Sequence, residues 1–224
     1  MLTRNMDFRL LLIRAVAALS LSAVILAGCS EDDPFDGELG LMSRLVELPA
    51  ETGITPVIVY SNTCWHVHFT SEVDWAGLDR LSDEGSSQVK LAYAANYGRA
   101  RKVALAFEAG STRDTVVMIQ ASGLKTPTLA FSEESLELTC VAQNCLAPVQ
   151  TNLRDDFEDI IWSVEYVTPE DGWISDLSLS KEGLSFAITI NGGGSARKAK
   201  ITLSHTDAYD SRLTAILYVT QNPA

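Results

Sequence analysis

The sequence predicts an all-β chain built as two tandem β-sandwiches, and three observations lead there. Short runs rich in β-branched and aromatic residues are separated by Gly, Ser, Asn and Asp. A series of residues in the first half returns in the same order in the second. Trp65, Asp74-Trp75, Asn96, Arg101-Lys102 and Gln120 are answered by Trp162, Gly172-Trp173, Asn191, Arg197-Lys198 and Gln221. The apolar rhythm between them returns as well, at an offset of about one small domain, so a fold is duplicated.

In the first half, residues 57–60, 65–69, 89–93, 103–107 and 115–119 read as strands. In the second half, residues 135–141, 160–166, 184–190, 199–203 and 214–219 repeat the series. Strands at this spacing, with turn residues between them, argue for antiparallel sandwiches. Asn96-Tyr97-Gly98-Arg99 and Asn191-Gly192-Gly193-Gly194 tolerate positive φ and read as tight hairpin connections. A phosphate loop is excluded, because strand and not helix follows and no Gly-Lys-Ser/Thr is present. Alternation puts Trp65, Val67 and Phe69 on one core face, with Trp162, Val164 and Tyr166 as their counterparts. Trp75 and Trp173 are expected to plug the sandwich edges. Residues 123–127 form a linker short enough to predict limited freedom between the modules.

The amino terminus carries an address. Arg4, Arg9 and Arg14 flank or interrupt an apolar stretch, and residues 15–27 are nearly free of polar groups. A short apolar core after a basic start reads as a secretory leader and not a membrane span. Leu26-Ala27-Gly28-Cys29 resembles the bacterial lipobox, which implies acylation of Cys29 as the first mature residue. Ser30-Glu31-Asp32-Asp33 is similar to the acidic export signal of Bacteroidota-type lipoproteins, which implies the outer face of the outer membrane; a solvated acidic linker is the alternative. The expected organisation is a leader over residues 1–28, an acidic tether over 29–41, sandwiches over 42–122 and 128–224, and the linker between them.

The formal net charge is −12, and removing residues 1–28 leaves 14 basic against 28 acidic residues, a balance of −14. Such a chain is unsuited to nucleic acid or to anionic lipid headgroups. It suits a self-repelling surface protein and neutral ligands such as glycans. Cys140 and Cys145 flank a turn at residues 141–144 and are placed either to bridge across a hairpin or to remain buried free thiols. Cys64 has no evident partner. No CxxC pair is present, so neither a zinc ribbon nor a redox site is supported.

Each half resembles a BACON domain, a Bacteroidetes-associated module often found at the amino end of carbohydrate-active proteins. The resemblance rests on Trp65, Asp74-Trp75, Asn96, Arg101 and the strand closing on Gln120, and on Trp162, Gly172-Trp173-Ile174, Asn191, Arg197 and the strand closing on Gln221. It departs at Trp75-Ala76-Gly77-Leu78 and at an insert over residues 151–159. It implies an immunoglobulin-like sandwich and either glycan binding, mucin included, or a spacer role; no catalytic domain follows here to serve as cargo.

Candidate sites follow from residue type. Cys64, His66 and His68 alternate along one strand face, but no fourth ligand is identifiable and an outward polar face is favoured over metal. Residues 155–159 are densely acidic yet lack the spacing and glycine of an EF-hand, so a solvated loop is favoured over calcium. No carboxylate pair sits in a recognisable motif, and no nucleophile arrangement appears, which argues against an enzyme. No cofactor is expected. Glycan binding needs exposed aromatic platforms. Tyr97 and Tyr209 are the best candidates, expected at opposite ends of their modules, with Trp75 and Trp173 added if their edges reach the surface. The function expected is a surface-displayed lipoprotein with glycan-binding modules; the alternative is a non-enzymatic structural, spacer or protein-interaction component of an outer-membrane complex.

Overall fold

A computed structural model describes residues 37–167 and 172–224 of the chain. They fall into two compact units, one holding residues 37–96 with Ala100–Gly123, the other Tyr97–Arg99 with the residues from Leu124 onward. The leader, Cys29 and most of the acidic tether lie outside the described residues. No described helix is long and apolar enough to cross a membrane.

The first unit contains β1 (Leu39–Leu41), β2 (Leu45–Leu48), β3 (Gly53–Ser61), β4 (Cys64–Phe69), β5 (Ala76–Leu78), β6 (Ser82–Glu84), β7 (Ser87–Tyr93), β8 (Arg101–Ala109) and β9 (Thr112–Gln120). They form two sheets, β1-β3-β7-β5 and β2-β9-β8-β4-β6. The first pass of the chain is divided between the sheets: β1 pairs antiparallel with β3, while β2 pairs parallel with β9. This is the strand order of an immunoglobulin-like sandwich. Between the sheets lie Val59, Trp65, Val89, Leu91, Leu105, Phe107 and Met118, all fully buried. The Trp65 and Phe107 rings meet at 5.8 Å in a tilted arrangement, a favourable geometry for aromatic quadrupoles.

The second unit contains β10 (Leu129–Phe131), β11 (Ser135–Leu138), β12 (Gln143–Ala147), β13 (Val149–Thr151), β14 (Ile161–Tyr166), β15 (Ile174–Ser180), β16 (Gly183–Ile188), β17 (Arg197–Thr206) and β18 (Arg212–Gln221). Its sheets are β11-β18-β17-β14, β12-β16-β15 and the pair β10-β13. Here too the opening strand is divided, and β11 runs parallel to β18. Leu153, Trp173, Leu184, Phe186, Ile201, Leu203, Leu217 and Val219 fill the core. The longer strands lie where alternation placed them. The short ones, and β15, were not legible, because three residues of strand carry no periodicity of their own.

Two expectations about turns are corrected. Residues 96–99 and 191–194 are not positive-φ hairpins. They carry the chain from one sheet to the other, from β7 to β8 and from β16 to β17. The tight β8–β9 turn is made instead at Gly110, whose φ of 57° is the left-handed region that glycine enters without strain.

A third correction concerns the duplicated tryptophans. Arg101 pairs with Gln120 at one end of the β8–β9 ladder, and Arg197 with Gln221 at the same end of β17–β18. Counting along the ladders from these pairs makes Phe107 equivalent to Leu203. Phe107 lies opposite Val67, but Leu203 lies opposite Trp162. Trp162 is therefore the counterpart of Val67, and the counterpart of Trp65 is the buried Ile160. The slip of two residues preserves the face, which is why Val164 and Tyr166 still pack against the core. It does not preserve the cover. Trp162 is 43% exposed, because β14 is the last strand of its sheet among the described residues. In the first unit β6 lies beyond the equivalent β4, and the Trp65 indole N–H donates to the Gly85 carbonyl at 2.9 Å.

These placements make Trp65 and Trp162 unequal. Trp65→Ala should destabilise the first unit by about 3–5 kcal/mol, the usual range for emptying a buried aromatic site. Trp162→Ala should cost well under half as much, read by urea unfolding with hydrogen exchange reporting each unit separately. The Asp83 carboxylate of β6 is held below the ordinary carboxylate range, chiefly by the Glu84 backbone N–H and also by Arg80. A depressed carboxyl stabilises above its unfolded value and stops doing so as pH falls through its folded one. Exchange at the Val67 N–H, which donates to Leu81 O beside β6, should accelerate at acid pH after correction for intrinsic rates.

Candidate functional site

The repeated polar residues converge at one pole of each sandwich. In the first unit the Arg101 Nε donates to Gln120 Oε1 at 2.9 Å, and its terminal nitrogen donates to the Ala94 and Ala95 carbonyls. Gln120 Nε2 donates to Ala94 O and Ala50 O, and Asn96 Nδ2 donates to Ala121 O. The guanidinium lies 4.3 Å from the centre of the Trp75 ring.

The second unit repeats this set. Arg197 Nε donates to Gln221 Oε1 at 2.8 Å, and its terminal nitrogen reaches Thr189 O, Thr189 Oγ1 and Ile190 O. Gln221 Nε2 donates to Cys140 O and Thr189 O, and Asn191 Nδ2 to Ser195 O, Gln221 O and Asn222 O. Arg197 covers the Trp173 ring at 4.7 Å. Asn96, Gln120, Asn191, Arg197 and Gln221 are all buried. Strand ends meeting at a pole leave carbonyls that no ladder satisfies, and a planar guanidinium with its fixed fork of donors supplies several bonds at once. Stacking on the indole face adds a cation–π contribution.

The tryptophans among the predicted ligand residues are thus accounted for internally. Trp173 is buried beneath Arg197 and against Tyr166, so its edge does not reach the surface and it offers no platform. Trp75 is half-buried and has Arg101 against its face.

The tyrosines are exposed, Tyr97 by 66% and Tyr209 by 50%. Within their own modules they lie at opposite ends, as expected: Tyr97 is in the β7–β8 connection at the Arg101–Gln120 end, and Tyr209 in the β17–β18 turn, away from Arg197 and Gln221. Tyr97–Arg99 cluster with the second unit, where Arg99 is buried. One terminal nitrogen of Arg99 bonds to His205 Nδ1 and O, each at 3.0 Å, and the other to Asp207 Oδ2 at 2.8 Å and to Ser211 O and Oγ. A guanidinium only donates, so His205 Nδ1 is the acceptor. The Arg99 backbone N–H donates to Asp156 Oδ2, and Gly98 has no room for a side chain, since a Cβ would collide with that carboxylate. The other oxygen of Asp207 accepts from the N–H groups of Tyr209 and Ser211, fixing the loop that displays Tyr209. Tyr97 and Tyr209 therefore flank one buried arginine. Sequence reading missed Arg99 and Asp207. The only available signal was a lone arginine in a loop, which looks solvated until its partners are in place.

The remaining candidates resolve as follows. Cys140 and Cys145 are free thiols, because β11, which precedes Cys140, and β12, which contains Cys145, belong to different sheets and form no hairpin. Burial pushes the Cys145 thiol up, which disfavours the reactive thiolate. Cys64 is disulfide-bonded. His66 and His68 point outward from β4. Of the acidic run, Asp156 serves the Arg99 segment. No group of three or more His, Cys, Asp or Glu able to hold a metal occurs among the described residues. Two shallow depressions, of about 300 and 320 Å³, adjoin Tyr60 and Ser86 in the first unit.

No protein-family model matches the chain, and no curated protein matches it. Among solved structures it is similar to a Bacteroides ovatus GH5 xyloglucanase in complex with a XXXG heptasaccharide, at 18% identity and a TM-score of 0.35, over 38% of this chain and 19% of that one. It is similar to titin Ig tandem domains A164-A165, at 8% identity and a TM-score of 0.32, over 85% of this chain and all of that one. It is also similar to human protocadherin-24 EC1-2, at 11% identity and a TM-score of 0.33, over 83% and 97%. The chain spans about a fifth of the xyloglucanase. At these scores the likenesses carry no argument, and the fold assignment rests on the strand order.

The pole predicts a sharp mutational signature. Arg197→Ala strands Gln221 Oε1 and the Thr189 and Ile190 carbonyls and should destabilise the second unit by on the order of 3 kcal/mol. Arg197→Lys should not rescue it, because an ammonium cannot span the same acceptors. Hydrogen exchange along β17 and β18 checks both variants, with the first unit as internal control.

Proposed function

We propose that this chain is a lipid-anchored, surface-displayed protein with a non-enzymatic structural or protein-interaction role. The observation that carries this reading is that the repeated asparagines, arginines and glutamines, with Trp75 and Trp173 beneath the arginines, turn inward to hold each sandwich. A duplicated enzyme or lectin site would present its repeated residues to a ligand. The order of those residues supports a BACON-like module, and the acid-rich composition supports a soluble display domain. Leu26-Ala27-Gly28-Cys29 supports acylation at Cys29 and outer-membrane placement. In the anchored chain the Cys29 sulfur carries the acyl group and forms no disulfide, so the bridge at Cys64 belongs to a chain that is not acylated there.

A second reading has one observation in its favour. Tyr97 and Tyr209 project from loops held by the same buried Arg99, which is a fixed presentation of two aromatic rings. Sugar faces stack on such rings, and mucin or plant polysaccharide is the ligand class this reading takes.

The anchor is tested first, and a pull-down with a glycan array then separates the readings. Cys29→Ala should release the protein from membranes, and the intact mass of the membrane-extracted wild-type chain should carry the acyl groups. Persistence of the variant in the membrane would contradict acylation. Under the first reading an affinity pull-down recovers a defined outer-membrane protein, and a glycan array stays blank. Retention of a polysaccharide that is lost in Tyr97→Ala and Tyr209→Ala would replace the first reading with the second.

A further inference from the structure

The two units differ most where a strand is missing. In the first unit, β6 covers the edge of β4, with Cys64 opposite Glu84, Trp65 opposite Asp83 and His66 opposite Ser82. There the Val67 N–H donates to Leu81 O at 2.8 Å. In the second unit the sheet stops at β14 among the described residues. The Val167 N–H donates inward to Lys198 O. By antiparallel alternation, Trp162, Val164 and Tyr166 therefore turn their backbone N–H and C=O groups toward the open side.

Among the described residues the open edge lacks the usual protections. Sheet edges are commonly blunted by lysine, proline, a bulge or a covering segment. Here Ile161 is 64% exposed, Val167 65% and Trp162 43%. The one charged residue of β14, Glu165, accepts from Lys200 Nζ at 2.6 Å, so no unpaired charge opposes a second strand.

We propose that β14 pairs antiparallel with β14 of a second copy of this chain, about a two-fold axis through Val164. The sequence of the edge is self-complementary in that register. Val164 meets Val164 of the second copy, and Trp162 meets Tyr166; these are the residues whose backbone groups are directed outward. On the other face Ser163 meets Glu165, and Ile161 meets Val167, so the two exposed aliphatic side chains cover each other twice. A two-fold contact of this kind closes on itself and leaves no further edge at β14. The neutral edge is complementary to itself although the chain as a whole is acidic, which is the argument for a second copy over a charged foreign strand. The proposal rests on the protein-interaction reading and gives it a partner.

Sedimentation of the purified chain over a range of concentrations tests it. The expected result is a reversible monomer–dimer equilibrium. Ile161→Lys places like charges nowhere but removes one apolar pair twice, and should weaken the dimer ~10-fold or more. Val167→Glu should do the same. The double variant Ile161→Lys with Val167→Glu should restore the dimer, because opposite charges then meet across each pair. Both positions changed are surface positions of the folded monomer, so circular dichroism should be unaltered in all three variants. A monomer at every concentration up to the millimolar range, a dimer indifferent to Ile161→Lys, or a double variant that stays monomeric overturns the proposal. A monomer that captures an extended peptide at β14, or that still recovers an outer-membrane protein, also overturns self-pairing while leaving the interaction reading intact.

Discussion

The fold of each unit depends on an arginine, half-buried in the first unit and buried in the second, clamped to a glutamine over an indole ring. A sandwich whose opening strand is divided between sheets brings several strand ends to one pole. There the backbone carbonyls have no ladder partner, and leaving them unsatisfied costs about 1–3 kcal/mol each. Arg101 and Arg197 satisfy them in pairs, while Gln120 and Gln221 tie the last strand to the loop that follows β2 or β11. The Arg and Gln are also ladder partners, so the polar cluster fixes the register of the strands that carry it. A one-residue slip would turn both side chains to the opposite face.

With the poles fixed, the units diverge at edges and loops and in the core residues beneath those edges. The first unit closes its β4 edge with β6 and seals Trp65 beneath it. The second has Ile160 in the Trp65 position, a smaller core residue, and places its tryptophan one strand period further on, where no described strand covers it. The same duplication therefore yields one closed edge and one open, apolar edge.

The Arg99 segment shows how loops acquire structure that no local signal announces. Asn96 belongs to the pole of the first unit, yet the next three residues cluster with the second. Gly98 is needed there for the close approach of Asp156 and not for a positive φ. Asp207 uses its two oxygens for different purposes, one for Arg99 and one for the loop carrying Tyr209. Each partner is distant in sequence, and the group forms only once both strands and loops are in place.

By itself the sequence determined the fold class, the duplication, the longer strands and their inward faces, because a period of two survives any reading frame that keeps parity. It also marked Asn96, Arg101, Gln120 and their counterparts as important, though it could not say that they serve the fold and not a ligand. Tertiary structure alone decided that Trp173 is sealed while Trp162 is open, that Cys140 and Cys145 stay apart, and that Tyr97 and Tyr209 share one arginine. The physical reason is common to all of these. Burial and pairing depend on which strand lies beyond the edge and which loop returns to it, and those neighbours are far away along the chain.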